Sequence, residues 1–258
     1  ALESVAAKYN SSISFHTIFT RNGQTLHNHY HGNTLQEGDI VVLDAGARIE
    51  SGYCGDMTTS FPISNRFSDR QRDSYSLLIE MFEKAEELIK PEITYKEVHL
   101  EVCKVLAEGM KKRGLMKGDV EEAVKVGAHA IFFPHGLGHM LGLDVHDMEA
   151  LGENYVGYDE FSRDMQFGLK SLRLARKLKP GYVFTVEPGI YFIPELIKRW
   201  KEVGKFMEYL NYDEIEKYLD FGGMRYEGDF LITEHGARRL GEKMPKYSNE
   251  VEDLRSSI

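Results

Sequence analysis

Apolar residues along this chain recur with two different periods, and the period separates helix from strand. Between Ser68 and Ile89, the residues Tyr75, Leu78, Ile79, Phe82 and Ala85 fall at helical spacing, with Asp69 early and Pro91 just beyond. That is one face of a helix with an acidic first turn and a residue that cannot continue it. Thr94 to Arg113 repeats the pattern through Val98, Val102, Val105, Leu106 and Met110, and Gly114 stands where a C-cap belongs. Elsewhere the runs are short and rich in β-branched or aromatic residues. "IVVLDAGA" (40–47) reads as a buried strand after a turn, and "GYCGDMTTSFPI" (52–63) as a strand forming a hairpin with it. "YVFTVEPGIYF" (182–192) predicts a strand interrupted by Pro-Gly, and "GGMRYEGDFLIT" (222–233) a final strand. The first half of "AVKVGAHAIFFPHGLGHMLGL" (123–143) has apolar strand character, after which glycines break both periods. "IPELIKRWKEVGKFMEYL" and "YDEIEKYL" predict a helical excursion, and "ALESVAAKYN" looks like the end of a helix.

Strand pairs and helix pairs therefore come in blocks, twice. That order predicts an α+β fold in which helices cover one side of an antiparallel sheet. No Pro/Ser-rich linker divides the chain, so residues 1–258 read as one domain.

Composition narrows the function only slightly. With 42% hydrophobic and 28% charged residues, the 258-residue chain is ordinary globular material. A formal net charge of -9 argues against a nucleic-acid or anionic-membrane partner, since both demand basic patches. No apolar run approaches the ~18 residues of a membrane span, and no signal peptide is visible, so a cytoplasmic protein is expected. Cys54 and Cys103 are too few for a disulfide framework and read as small buried hydrophobes. The start without methionine suggests a piece of a longer chain.

The anomaly is acidic residues inside strands. Asp44 follows "VVL", Asp56 precedes "MTTSF", Glu187 sits in "FTVEPG" and Glu227 in "MRYEGDFLI". A carboxylate buried without a partner costs several kcal/mol, so it neutralises, pairs or binds a cation. Each of the four alone is ordinary as a turn former or an arginine partner. Together with "HGLGHMLGLDVHD" (135–147), which holds His135, His139 and His146, they form a set that suits two divalent ions of the Mn, Co or Zn sort. Four negative carboxylates against two dications leave a neutral site able to hold a hydroxide.

These segments resemble the pita-bread metallopeptidases, and among them the X-Pro aminopeptidase and prolidase group. "VVLDAGA", "GDMTTSFP", "HGLGHMLGLDVHD", "TVEPGIY" and "MRYEGDFLIT" appear in the family's order, and the resemblance covers essentially all 258 residues. It implies a pseudo-twofold antiparallel sheet covered by helices. It also implies that Asp44, Asp56, His139, Glu187 and Glu227 ligate two divalent metals, manganese being the first expectation. Asp56 and Glu227 would bridge the ions, Asp44 would hold one, and His139 with Glu187 the other. His146 would stabilise the tetrahedral intermediate, and His135 would line the pocket beside the scissile bond. His27 matches the upstream substrate histidine, whereas His29 and His31 read as surface or loop residues. Glu187 could relay the proton of the attacking water. Arg225 lies two residues before Glu227, so strand alternation puts both on one face, where the guanidinium can orient a ligand carboxylate. Gly136, Gly138 and Gly142 either let the backbone fold closely around the site or are plain loop residues.

The activity implied is removal of the N-terminal residue from peptides with proline second. Such a site must accept a ring whose imide lacks an N–H, and His27 with His135 would frame it. The resemblance also allows a prolidase acting on Xaa-Pro dipeptides, a methionine aminopeptidase, or a silent binding module, although silent modules lose ligands and this chain keeps all five. Several departures stand out. Asp44 and Asp56 are twelve apart, one more than is common. Gly228 replaces an acidic residue often found there. Residues 148–179 and 193–221 form long insertions, and "FGLKSLRLARKLKPG" is expected to border the cleft. The group's amino-terminal domain is absent from the sequence, which leaves open the homodimer expected of the full-length protein.

Overall fold

A computed structural model describes residues 2–159 and 162–257. The chain starts with helix α1 (Leu2–Lys8), followed by the short strands β1 (Ser12–Ile13) and β2 (Ile18–Thr20). The predicted hairpin follows as β3 (Ile40–Ala45), β4 (Ala47–Arg48) and β5 (Met57–Pro62). Its second strand starts at Met57, not at Gly52, because Glu50 to Gly52 form the turn and Cys54 makes only an isolated bridge to Arg48. Helices α2 (Asp69–Leu88) and α3 (Tyr95–Lys112) match the helical periodicity almost residue for residue. Both open on reciprocal capping boxes. Ser68 Oγ accepts from the Gln71 amide while Gln71 Oε1 accepts from the Ser68 amide, and Thr94 with Glu97 does the same.

The segment expected to begin as a strand is helical. Helix α4 (Val120–Val126) is capped by Asp119, whose side chain accepts from the Glu122 amide, and ends at Gly127 with φ 84°. A 3-10 turn over Ala128–Ile131 follows. The apolar residues are buried as the sequence suggested, but a cap at each end selects helix over strand. Farther on come α5 (Glu153–Gly157), β6 (Val183–Val186), β7 (Gly189–Tyr191), α6 (Pro194–Glu202) and α7 (Tyr212–Ile215). The expected final strand is two, β8 (Gly223–Arg225) and β9 (Gly228–Thr233), and it is not final. Strand β10 (Gly236–Arg239) and helix α8 (Ser248–Ser256) follow, their short polar-rich stretches carrying little periodic signal.

Two three-stranded antiparallel sheets, β2-β3-β5 and β10-β9-β6, carry the architecture. Helices α2 and α3 lie over them, as the α+β expectation requires. Phe82 of α2 meets Tyr226 edge-on at 4.8 Å, and Tyr95 of α3 meets Phe184 of β6 at 5.1 Å. The sheets meet where the Glu227 amide donates to the Thr58 carbonyl and Ser60 Oγ donates to the Arg225 carbonyl. Cys103 is buried as expected; Cys54 is only half-buried. No helix among the described residues is long and apolar enough to cross a membrane.

Candidate active site

The two glutamates owe their places to an interrupted ladder. β6 pairs with β9 through Val186 and Gly228, and β7 with β8 through Gly189 and Arg225. The register is the same on both sides, so Glu187 stands opposite Glu227 and Pro188 opposite Tyr226. Proline has no amide hydrogen to offer, so its pair keeps a single bond, from the Tyr226 amide to the Pro188 carbonyl. The Glu187 and Glu227 amides point outward, as at every second pair of an antiparallel ladder: that of Glu187 donates to the Leu137 carbonyl, that of Glu227 to the Thr58 carbonyl. The two aspartates come from the other sheet. Asp44 pairs with Thr58 across the β3–β5 hairpin, and Asp56 is two residues before Thr58, so alternation puts all three on one face.

His139 reaches the same place because residues 137–141 run antiparallel along β6. The Thr185 amide donates to the His139 carbonyl, and the His139 amide to Thr185 Oγ1. Gly138 permits this approach, since a Cβ there would collide with the Thr185 carbonyl. Tyr95 clamps the pair from beneath, donating its hydroxyl to the Thr185 carbonyl at 2.6 Å.

The five expected ligands thus converge. His139 Nε2 lies 3.4 Å from Asp56 Oδ2 and 3.6 Å from Glu187 Oε1. One ligand atom each from Asp56, His139 and Glu227 all lie within 4.8 Å of one another. Asp44, Asp56, His139 and Glu227 are buried. Burial raises the pKa of Asp44 despite the opposing Arg225 charge, and it pushes Glu227 well above the carboxylate range, aided by the neighbouring carboxylates. It lifts Glu187 to about 7 against the pull of His139. His139 goes to about 9, because the Asp56 hydrogen bond and the Glu187 charge overcome the burial that would lower it.

Arg225 is the cation inside this cluster. Its guanidinium donates to Asp44 Oδ2 at 2.5 Å, Thr58 Oγ1 at 3.2 Å and the Tyr191 hydroxyl at 3.1 Å. Thr58 in turn donates to Glu227 Oε2 at 2.6 Å, so one arginine orients two carboxylates, one directly and one through a hydroxyl. Arg225 ends β8 and Glu227 lies in the gap before β9, so uninterrupted alternation is not what aligns them; the continuous register is.

The histidines divide as follows. His135 Nε2 meets the Tyr191 hydroxyl at 2.9 Å and Nδ1 meets the Gly136 carbonyl at 2.8 Å. Burial lowers its pKa to about 3, so the ring is neutral, and with both nitrogens engaged it offers the cleft a face and no free nitrogen. His146 stacks edge-on to His139 at 4.3 Å, with Nδ1 3.6 Å from Glu149 Oε2, and Arg173 Nη1 donates to that same oxygen at 2.5 Å. Burial, then the His139 and Arg173 charges, lower His146 to about 3. His27 lines the cleft at its exposed rim, and so does His29, which was read as a surface residue; His31 bonds the Thr17 carbonyl instead.

These side chains line a cleft of about 780 Å³. Lys170, Ser171 and Arg173 form part of its wall, as the first insertion was expected to do, though residues 160 and 161 of that insertion lie outside the described residues. The second insertion does not reach the cleft; Trp200 and Phe206 pack against each other beside the core. The sequence reading missed Thr58, Tyr191, Tyr95, Glu149, Arg173 and Asp229. Thr58 and Asp229 were findable, each two residues beyond a ligand on the same face. Asp229 Oδ2 accepts from the Asp56 amide at 3.1 Å, which places a carboxylate one position after Gly228. Burial lifts its pKa to about 7.

Residues 1–234 match the model of metallopeptidase family M24. The chain belongs to that family. It is 34% identical over 243 residues to the Xaa-Pro aminopeptidase of Escherichia coli, covering 93% of this chain and 47% of that protein. It is 34% identical over 249 residues to the Xaa-Pro dipeptidase of Rattus norvegicus, covering 92% and 49%. Among solved structures, the Pseudomonas aeruginosa aminopeptidase PepP superposes with a TM-score of 0.79 at 29% identity, over 99% of this chain and 51% of that one. The chain spans about half the length of the curated relatives it matches. The fold is the α+β pita-bread fold of these aminopeptidases.

Membership in a metallopeptidase family implies divalent metal, and the donors fit one. Four carboxylates crowd around one imidazole, Arg225 touches only Asp44 among them, and Asp44 Oδ1 is buried without a hydrogen-bond partner. Hard oxygen donors with one nitrogen are the set that Mn, Co or Zn accepts.

Proposed function

We propose that this chain is the catalytic unit of a metal-dependent exopeptidase that removes the N-terminal residue from peptides with proline in second position. The observation that carries the reading is the convergence of Asp44, Asp56, His139, Glu187 and Glu227 in one cleft of a chain from this family. The names of the relatives, Xaa-Pro aminopeptidase and Xaa-Pro dipeptidase, supply the substrate class.

Asp56 and Glu227 would bridge two divalent ions, with Asp44 on one and His139 and Glu187 on the other; manganese is the first choice, cobalt or zinc the alternatives. When bound, such a pair lowers the pKa of water and polarises a carbonyl. The chain's own groups do the rest. Glu187 takes a proton at the carboxylate oxygen near His135 and returns it to the leaving proline nitrogen. His146, beside His139 and neutral, donates an Nε2–H to the carbonyl oxygen as that oxygen gains charge; its Nδ1, 3.6 Å from Glu149 Oε2, is too far for a hydrogen bond and keeps the lone pair. His135 and His27 frame the proline ring, His135 by its ring face. Arg225 keeps Asp44 ionised and oriented. The carboxylate-rich floor attracts the peptide's ammonium.

Incubating manganese-loaded protein with Gly-Pro-Pro, Gly-Pro and Met-Ala-Ser tests the reading. Release of glycine from Gly-Pro-Pro is expected. Cleavage of Met-Ala-Ser with Gly-Pro-Pro left intact would overturn the proline assignment. Faster cleavage of Gly-Pro than of the tripeptide would make it a dipeptidase, a second reading favoured by its equal identity to the rat enzyme.

A further inference from the structure

Outside the cleft, the described residues bring together one other group of metal-binding side chains. His99, Cys103 and His129 are each wholly buried, and one ligand atom from each lies within 4.8 Å of the others. His99 and Cys103 are four apart on α3 and so share a face. His129 comes from the 3-10 turn after Gly127. His99 Nε2 and Cys103 Sγ are 3.5 Å apart. A weak S–H···N hydrogen bond would account for that contact alone. It leaves His99 Nδ1 and both ring nitrogens of His129 buried with no partner. Each unpaired buried polar atom costs about 1–3 kcal/mol, and an apolar side chain would avoid it. The catalytic arrangement uses none of the three.

We propose that His99, Cys103 and His129 form a second metal site, separate from the cleft, for a soft monovalent cation of the Cu(I) type. Bonds of about 2.0 Å to nitrogen and about 2.3 Å to sulfur, at the ~120° of a three-coordinate ion, would hold the two atoms ~3.7 Å apart, within about 0.2 Å of the 3.5 Å found between His99 Nε2 and Cys103 Sγ. A thiolate and an imidazole pair selects a soft ion, whereas structural zinc closes its site with four ligands and this group supplies three. Charge makes the same choice. One thiolate and two neutral imidazoles carry a single negative charge, which a monovalent ion cancels. A dication would leave net positive charge in an apolar core, at a cost of several kcal/mol. The carboxylates of the cleft and the sulfur of this site thus sort ions by hardness.

Binding exchanges one proton. Burial holds His99 at a pKa of about 3 and His129 at about 4, so both imidazoles are already neutral. Burial raises the Cys103 thiol, so the proton that leaves is its own: the S–H bond breaks, the S–metal bond forms, and the proton goes to solvent.

The test is an anaerobic titration of the whole chain with Cu(I) against a competing chelator, repeated with Ag(I), which is inert to oxidation. One equivalent should bind with an ultraviolet thiolate-to-metal band, and the affinity should rise about tenfold per pH unit as one proton is released. Cys103→Ser should abolish the band and weaken binding by more than the roughly 10–100-fold that loss of an outer partner costs. Glu227→Gln, in the cleft, should leave it unchanged. Imidazole nitrogen resonances of the unmutated chain give a readout that needs no variant: Ag(I) should shift His99 and His129 together. Absence of binding, equal binding by Cys103→Ser, unmoved histidine resonances, or displacement of Cu(I) by equimolar zinc would each overturn the proposal.

Discussion

Glu187 and Glu227 face each other between the β6–β9 and β7–β8 ladders, at a pair whose two amides both bond outward to other segments. Facing residues of an antiparallel pair bring their Cβ atoms to about 4.5–5.5 Å. Burial first, and the neighbouring carboxylates second, favour protonation of both glutamates in the metal-free protein. Glu187 rises to about 7, and Glu227 is raised well above the ordinary carboxylate value.

A raised carboxyl binds its proton in the folded chain at pH values where the unfolded chain has already lost it. Stability from such a group is therefore present at low pH and is lost as pH rises through the folded value. Metal-free protein should lose up to about 1.4 kcal/mol per pH unit per group between pH ~4.5 and 7 on account of Glu187. Glu227→Gln should flatten this decline and also lower metal content. Denaturant midpoints from pH 4.5 to 9 and elemental analysis check both effects. A variant with an unchanged pH slope would contradict the charge crowding.

His129 contributes with the opposite sign. Burial lowers it to about 4, so the unfolded chain takes up the proton first, and stability is lost as pH falls from ~6.5 toward 4. At pH 5 this amounts to about 2 kcal/mol. In metal-free protein, His129→Phe should narrow the stability difference between pH 7.5 and pH 5 by that amount.

Arg225→Ala should destabilise the protein by ~3–5 kcal/mol, since it strands a buried carboxylate. Arg225→Lys should recover part of that but not full activity, because a lysine cannot reach Asp44, Thr58 and Tyr191 together. Chemical denaturation and peptide cleavage separate the two effects.

The two stacked histidines should part by role. His139→Ala is expected to lose metal. His146→Ala is expected to keep it and to lose about 10²-fold in kcat, the usual cost of one oxyanion donor. Metal content measured beside kcat and KM decides; an effect of His146→Ala on KM alone would remove it from that role.

Gly138→Ala should push residues 137–141 off β6, since its Cβ meets the Thr185 carbonyl. A loss of about 1–3 kcal/mol is expected, in the range of overpacking, together with weaker metal binding through the displaced His139.

The long helices and the ligands were legible in the sequence for different reasons. Helices α2 and α3 combine a clean period with capping residues at Ser68 and Thr94, so local and tertiary signals agree. The ligands showed because a carboxylate in an apolar strand is out of place unless something compensates it. The α4 segment misled because its period is too short to choose between helix and strand, and only Asp119 and Gly127 decide. Tyr191, Tyr95 and Arg173 were invisible, since each acts through a partner tens of residues away. No spacing rule encodes such contacts.

The outward-bonded amides of Glu187 and Glu227 carry a consequence for how the site opens. The Glu187 amide is held by the segment that bears His139, and the Glu227 amide by the strand that follows Asp56. Each ligand's backbone is thereby tied to the segment of another ligand. Deuterium should reach these two amides at one common rate, set by an opening that takes β5, β6, β9 and residues 137–141 apart together. Half of the centre cannot come loose while the other half stays closed.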